Sequence, residues 1–319
     1  MSYTSQGLIE ATDYNGFVDT NGSNVNEVWS TGTSDRGYGQ SALATVSVGG
    51  TVTATQWASL VNTIAAMANH QGTTITARSA PTTGNIIEVL AAVNTDITSC
   101  ETNRLNAVAN GTQFTGWTGT SAKTAATSGA TWSIVFVHTI TWVSANAARY
   151  FFNAGGRIKW ETSKTATGAT GDPEWNDLAN TLVGDIYITA GTGTQTIAGS
   201  SYTGTTKTGG TGSPNTLATT TGWYDLGTSD TLIYKQFADT APYTANFIQI
   251  QAKTAGSGTQ LVLTTTWSAS DGDPISGGTA PSGVTPGTAP ATLVSYFPPS
   301  STYLTSASWG TPTVAATTT

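Results

Sequence analysis

The sequence predicts a mainly β protein with a helical N-terminal portion: an antiparallel, jelly-roll-like β-sandwich preceded by a two-helix docking and oligomerisation region. Three observations support this fold class. Apolar residues recur at helical spacing before residue 112 and alternate with polar residues at strand spacing from residue 132 onwards. Threonine, whose branched Cβ favours strands, is abundant in the second part. Turn signals rich in Gly and Asn separate the alternating segments.

The N-terminal region, residues 1–111, is predicted to contain two helices. Residues 55–69 form the clearer one, because their apolar side chains recur every three or four positions. Thr55 is the candidate N-cap of this helix, and Gly72 is the candidate stop. Residues 1–50 lack such a period and contain several turn signals, so we expect an irregular segment that docks by contact.

The second predicted helix spans residues 85–109 and carries apolar residues at four–three spacing. A seam of this period suits packing against a copy of the chain, as in a coiled coil, or against the first helix in a helical hairpin. Both arrangements remain open from the sequence. The residues that we predict for an oligomer interface are Trp57, Leu60, Ile64, Ile86, Leu90, Val93 and Ile97.

Residues 112–130 are rich in Gly, Thr, Ser and Ala and are predicted to form a linker. The β-sandwich is predicted over residues 131–270. Its clearest strand covers residues 132–142, where large apolar residues occupy one face. The glycine pair within residues 149–161 predicts a β-hairpin there. Further strands are predicted at residues 186–188, 232–237, 246–252 and 261–267.

The C-terminal residues 271–319 are predicted to form a Pro/Thr-rich extended arm. This segment holds seven of the 11 prolines of the chain and few charges. Proline removes a backbone donor and favours extended, unpaired backbone. We therefore expect the arm to wrap around a neighbouring molecule or around the sandwich.

Charge restricts the partners that this chain can have. Only 9% of its residues are charged, against roughly 25% in an average domain, and the net charge is −7. No run of Lys or Arg occurs, so we expect neither nucleic acid nor a membrane as a partner. A weakly charged surface repels its own copies little and favours assembly. The N-terminus resembles no secretion signal, so we expect synthesis in the cytoplasm.

No catalytic or cofactor-binding pattern stands out, so we predict a protein that is not an enzyme and has no cofactor. The single cysteine, Cys100, excludes an intrachain disulfide and is interpreted as a helix residue rather than a reactive thiol. His70, at a helix end where a cationic ring would be favoured, and His138, within a strand, are interpreted as core or edge residues.

Five acidic residues are candidates for a catalytic pair or a metal site. Glu161, Glu174 and Asp177 could supply a glycosidase pair, but nothing in the sequence places them in one cleft. Asp271 and Asp273 are weak calcium candidates. Their spacing falls short of an EF-hand loop, so a plain turn is the preferred interpretation and no metal site is predicted.

Tryptophans in or beside the predicted strands offer a different function, because flat aromatic rings stack on sugars. The preferred interpretation is that they fill the core of the sandwich. The alternative is a glycan-binding host-surface adhesin, which would need several of these rings exposed together. The tryptophans concerned are Trp132, Trp142, Trp160, Trp175, Trp223 and Trp267.

Two segments near the N-terminus, SYTSQGLIEATDYNGFV and VNEVWSTGTSDRGYGQ, resemble the opening of virion structural proteins of marine contractile-tailed phages, especially those that infect cyanobacteria. The segments ARYFFNAGGRIKWE and WYDLGTSDTLIYKQFADTAPYTANFIQIQAK are similar to segments of phage tail and neck-associated structural proteins. Together they cover about a quarter of the chain, and none is a catalytic signature.

The resemblance implies a component of a tailed-phage virion that is present in several copies. Tail fibre, baseplate periphery and neck or collar fibre all remain open as its location. The implied partners are copies of the same chain, a trimer being one option, and other virion structural proteins. A host surface glycan is a partner only in the adhesin alternative, and a polysaccharide-degrading enzyme is the third and least favoured function.

Overall fold

The computed structural model describes residues 10–19, 24–83, 90–120, 132–165, 172–191, 193–269 and 290–318. Its helices are α1 (Ala11–Val18), α2 (Val25–Trp29), α3 (Ala54–Gln71), α4 (Leu90–Thr102), α5 (Ala145–Asn153) and α6 (Asp172–Asp177). Its strands are β1 (Phe114–Thr120), β2 (Trp132–Thr141), β3 (Arg157–Ser163), β4 (Asp185–Ile188), β5 (Thr194–Ile197), β6 (Ser200–Thr203), β7 (Thr205–Thr208), β8 (Thr216–Leu217), β9 (Thr231–Phe237), β10 (Phe247–Ala255), β11 (Gln260–Ala269), β12 (Ala291–Phe297) and β13 (Thr313–Thr318). The mainly β, antiparallel class is confirmed. The N-terminal portion is helical, but the irregular segment expected over residues 1–50 is wrong in part, because α1 and α2 form there and bury apolar side chains.

Helix α3 confirms the first predicted helix, but its N-cap lies two residues earlier than predicted. The Thr53 hydroxyl accepts from the Gln56 amide, and the Gln56 side chain accepts from the Thr53 amide at 2.9 Å. This reciprocal capping box places Thr55 inside the helix. The predicted stop is correct, because Gly72 ends the helix with a left-handed φ of 72°.

Helix α4 is shorter than the helix predicted over residues 85–109. It ends at Thr102, and Asn103 bonds back to the Ser99 carbonyl through its side chain. Ala107 then pairs with the hairpin of β5 and β6, exchanging backbone hydrogen bonds with Thr196 and Ala198. Residues 84–89 lie outside the described residues. Residues after Thr102, which the prediction placed in the helix, therefore pair with this hairpin instead.

Two large antiparallel sheets and the two-stranded sheet of β5 and β6 form the described β part. The five-stranded sheet has the order β1-β12-β3-β4-β7, and the six-stranded sheet has the order β13-β2-β11-β10-β9-β8. The strand predicted at residues 132–142 is confirmed as β2, which pairs with β11 over its whole length. Its inward side chains are buried and the alternate ones face outwards, as the period of two requires.

The two sheets face each other across one core. The indole Nε1 of Trp160, on β3, donates to the Thr265 hydroxyl of β11 at 2.9 Å. Trp267, also on β11, stacks on Trp175 from the connection between β3 and β4, with ring centroids 5.7 Å apart. The buried cluster also includes the apolar faces of α1 to α4. Helices and the two large sheets therefore share one main hydrophobic core, and a small second cluster of Ala107, Ile197 and Tyr202 lies at the hairpin of β5 and β6.

The β-hairpin predicted over residues 149–161 is wrong. Residues 145–153 form α5 instead, because the Ser144 hydroxyl caps the amide of Ala147 and the helix buries Phe151 and Phe152. The glycine pair terminates this helix: Gly156 donates to the Phe151 carbonyl, as in a helix C-terminal motif. Only the second half of the predicted hairpin is a strand, β3.

The predicted linker and extended arm contain strands. Residues 114–120 of the linker form β1, and residues 291–297 of the arm form β12, which lies between β1 and β3. Residues 313–318 form β13 and pair with β2. Thr292, Val294, Ser295 and Tyr296 are buried, so side chains on both faces of this strand are covered, as its internal place between β1 and β3 requires.

Candidate functional site

The residues predicted for an oligomer interface are mostly buried inside this chain. Trp57, Leu60, Ile64, Val93 and Ile97 are each at most 3% exposed. They face the shared core, and Trp57 packs against the rings of α1. The helical hairpin interpretation therefore describes this seam, and these five side chains offer no surface to a partner.

Two of the predicted interface positions give no such test. Ile86 lies outside the described residues, and Leu90 begins α4 with a side chain outside the described set. The calcium candidates Asp271 and Asp273 also lie outside the described residues. The interface role of Ile86 and Leu90 and the calcium role of Asp271 and Asp273 remain predictions from the sequence.

Burial keeps the histidines and the cysteine in their neutral forms. His70 is 1% exposed, and its Nε2–H donates to the Ala154 carbonyl at 3.0 Å. Desolvation lowers the pKa of His70 to about 4, so the cationic ring considered from the sequence is wrong. Burial likewise lowers the pKa of His138 to about 4 and raises that of the Cys100 thiol to about 12. The core interpretation holds for all three.

The histidines predict how stability depends on pH. Each has a folded pKa of about 4 against an ordinary value of 6.5, so the unfolded chain binds the proton more tightly. Stability is complete above pH 6.5, and we expect it to fall by about 3 kcal/mol per histidine as the pH drops from 6.5 to 4. Urea unfolding at several pH values measures this slope.

Replacing one histidine isolates its share of the pH effect. His70→Gln keeps a donor for the Ala154 carbonyl and removes the titrating ring. We expect this variant to lose less stability on acidification than the original chain. An unchanged slope between pH 6.5 and 4 would contradict the assignment of His70.

The tryptophans offered for glycan stacking fill the core. Of those named from the sequence, Trp142, Trp160, Trp175, Trp223 and Trp267 are each at most 7% exposed. The side chain of Trp132 lies outside the described set. The five buried rings cannot form a stacking platform for a sugar, because a ring must expose a face to bind one.

The three carboxylates considered as a glycosidase pair are split by the fold. Glu161, on β3, binds the Lys159 ammonium at 2.7 Å, and Asp185 of β4 binds the same ammonium at 2.9 Å. Glu174 and Asp177 lie elsewhere, on α6. The structure therefore joins two of the three residues and separates the third.

A residue that the sequence interpretation missed lies beside Glu174 and Asp177. Asp239, in the loop between β9 and β10, brings a third carboxylate to Glu174 and Asp177, with oxygens of all three within 4.8 Å of one another. We call these residues the acidic cluster. No spacing rule could have found Asp239, because it is more than 60 positions away and its proximity arises only from the packing of the two sheets.

The acidic cluster grades from buried to open. Glu174 is 8% exposed, Asp177 is half-buried, and Asp239 is exposed. Burial raises the pKa of Glu174, hydrogen bonds from Thr240 oppose this rise, and the charges of Asp177 and Asp239 add smaller increases. Oxygen donors at this spacing can bind a hard cation, or two of them can share a proton.

A second feature is a surface of uncharged side chains on the outer side of β13, β2 and β11 in the six-stranded sheet; the neighbouring strand β10 carries Lys253 opposite Val262. Cross-strand pairs such as Val137 with Thr264 and with Thr317 place its side chains in rows. We call this surface the neutral face. It comprises Ser133, Val135, Val137, Thr139, Thr141, Gln260, Val262, Thr264, Thr266, Ser268, Thr313, Ala315 and Thr317.

Comparisons with known proteins do not add a relative. No family model, curated protein or solved structure matches the chain. Among the described helices, none combines the length and apolar character needed to cross a membrane.

Proposed function

We propose that the chain is a structural component of a tailed-phage virion: a tail-, baseplate- or neck-associated fibre or appendage protein that acts by assembly. Its partners in this proposal are copies of itself and other virion proteins. The sequence resemblance to phage structural proteins and the low charge of the chain support the proposal. A jelly-roll-like connection of the strands and docking through the N-terminal region belong to the same proposal.

The neutral face is the observation that carries the proposal. Its 13 residues are Thr, Ser, Val, Gln and Ala. Burying such a surface against a copy removes no charge from water, so the large desolvation cost of ionised groups does not arise. The valines add apolar contact, and the hydroxyls form hydrogen bonds across the interface. The threonine-rich composition therefore suits repeated contact with identical neighbours.

A charge placed in the middle of the neutral face is expected to weaken self-association. Val137 is flanked by Thr264 on β11 and Thr317 on β13. We expect Val137→Lys to raise the dissociation constant of the oligomer by about tenfold or more, because a buried ammonium must be desolvated. Analytical ultracentrifugation over a concentration series measures this change.

The matched control places the same charge outside the neutral face. Thr194 is exposed on β5, in the separate hairpin with β6. Thr194→Lys should leave the dissociation constant unchanged, and thermal melting should show that both variants fold. An original chain that stays monomeric at all concentrations, or equal behaviour of the two variants, would rule out assembly through this face.

A further inference from the structure

The acidic cluster concentrates negative charge that nearby cations do not balance. None of the ion pairs between described residues involves Glu174, Asp177 or Asp239. Three carboxylates within 4.8 Å repel one another when all are ionised. A bound cation or proton that neutralises part of this negative charge would relieve the repulsion.

A second observation points to a ligand at this place. The Oε1 atom of Glu174 is buried and has no hydrogen-bond partner among the described residues. A buried carboxylate oxygen without a partner costs free energy, and native proteins keep such atoms where a proton, water or ion satisfies them. Glu174 is more than nine-tenths buried and belongs to the cluster; Thr240 donates to its carboxylate, and Oε1 is the oxygen that is left without a partner among the described residues.

The distances fit calcium. Oxygens bound to one Ca²⁺ lie about 2.3–2.6 Å from the ion, so two of them can be separated by at most about 5.2 Å. The cluster oxygens all lie within 4.8 Å of one another, inside that limit. Ca²⁺ also takes 6–8 oxygen ligands in flexible geometry, and the exposed side of Asp239 leaves room for water as the remaining ligands. Mg²⁺ requires a tighter, near-ideal octahedron.

The position of the cluster gives the ion a structural role. Glu174 and Asp177 lie on α6, in the connection between β3 and β4 of the five-stranded sheet. Asp239 lies in the loop between β9 and β10 of the six-stranded sheet. An ion shared by these residues would join the two sheets at one end of the shared core.

We propose that Glu174, Asp177 and Asp239 bind one Ca²⁺ that ties the connection between β3 and β4 to the loop between β9 and β10. The ion neutralises the carboxylates, is bound by Glu174 Oε1 and stabilises the folded chain. This proposal names neither Asp271 nor Asp273 as a ligand, and it does not rest on assembly through the neutral face.

The test measures thermal melting of the full chain after removal of metal with EGTA and dialysis. Adding Ca²⁺ at about 100 times its dissociation constant should raise the melting temperature by roughly 5 °C. Isothermal titration calorimetry on the same sample should give one site per chain. Mg²⁺ at the same concentration should produce a clearly smaller shift.

Variants locate the ion. Glu174→Gln and Asp239→Asn should each abolish the Ca²⁺-dependent shift, and Glu174→Gln should melt no lower than the original chain in EGTA because it removes a buried charge. Asp230→Asn is the matched control: it removes an exposed carboxylate of the same sheet, paired with Lys253, and should keep the full shift.

Three outcomes would overturn the proposal. The first is a melting temperature that does not respond to Ca²⁺. The second is an equal response to Mg²⁺, which would reject calcium as the ion. The third is a shift that persists in Glu174→Gln and Asp239→Asn but disappears when Asp271 and Asp273 are both changed to Asn.

Discussion

A chain that ends at residue 289 is expected not to fold. The deletion removes β12, which lies between β1 and β3 in the five-stranded sheet, and also removes β13 from the edge of the other sheet. Val294 and Tyr296 leave the core with β12, and β1 loses the strand with which it pairs. We expect the free energy lost with this internal strand to exceed the free energy of unfolding of a typical domain, which is about 5–15 kcal/mol.

Circular dichroism and urea unfolding measure this effect. The truncated chain should show no cooperative transition, whereas a chain that ends at residue 312 should still unfold cooperatively. The shorter deletion removes only β13, an edge strand whose residues are exposed or half-buried. A chain ending at residue 289 that unfolds cooperatively would restore the extended arm predicted from the sequence.

Trp160→Ala is expected to cost about 3–5 kcal/mol of unfolding free energy. The ring is fully buried on β3, and it crosses the core to bond Thr265 on β11. Its removal leaves a cavity between the two sheets and a buried hydroxyl without its partner. The midpoint of urea denaturation measures the loss.

A double-mutant cycle separates packing from the hydrogen bond. Trp160→Phe keeps most of the ring, and Thr265→Val removes the hydroxyl with little change of shape. The two changes should be less costly together than the sum of their separate effects, because each breaks the same bond. Strictly additive free energies would show that this bond does not contribute to stability.

The strands that could be predicted are those whose alternation is uninterrupted. β2 combines a period of two with large apolar residues on one face, and it was correctly placed. Helix α3 was equally clear because its apolar residues recur at helical spacing and Gly72 ends it. In both elements the local pattern and the tertiary environment agree, so the sequence is sufficient to identify them.

The failures arise where tertiary packing decides between two local patterns. The glycine pair after α5 suits both a hairpin turn and the end of a helix, and burial of Phe151 and Phe152 selects the helix. In β12, prolines on either side concealed a strand only seven residues long that lacks a regular alternation of buried and exposed residues. Its partners lie far away in the chain, so no local signal marks it as internal.

The acidic cluster was half-predicted for the same reason. Glu174 and Asp177 were named together with Glu161 as candidates for a glycosidase pair, and nothing in the sequence placed them in one cleft. Asp239 joins them only because the loop after β9 lies against α6. An apolar seam has the same sequence pattern whether it meets a second chain or, as with Trp57 and Val93, the core of its own chain.

The place of β12 also governs the order of events during biosynthesis. Phe114 of β1 pairs with Tyr296, and Arg157 of β3 pairs with Phe297, so both neighbours leave the ribosome long before the strand between them is made. Contacts of such high sequence separation slow folding, because a long loop must close before they form. The nascent chain must therefore wait with unpaired strand edges, which is when chaperones act.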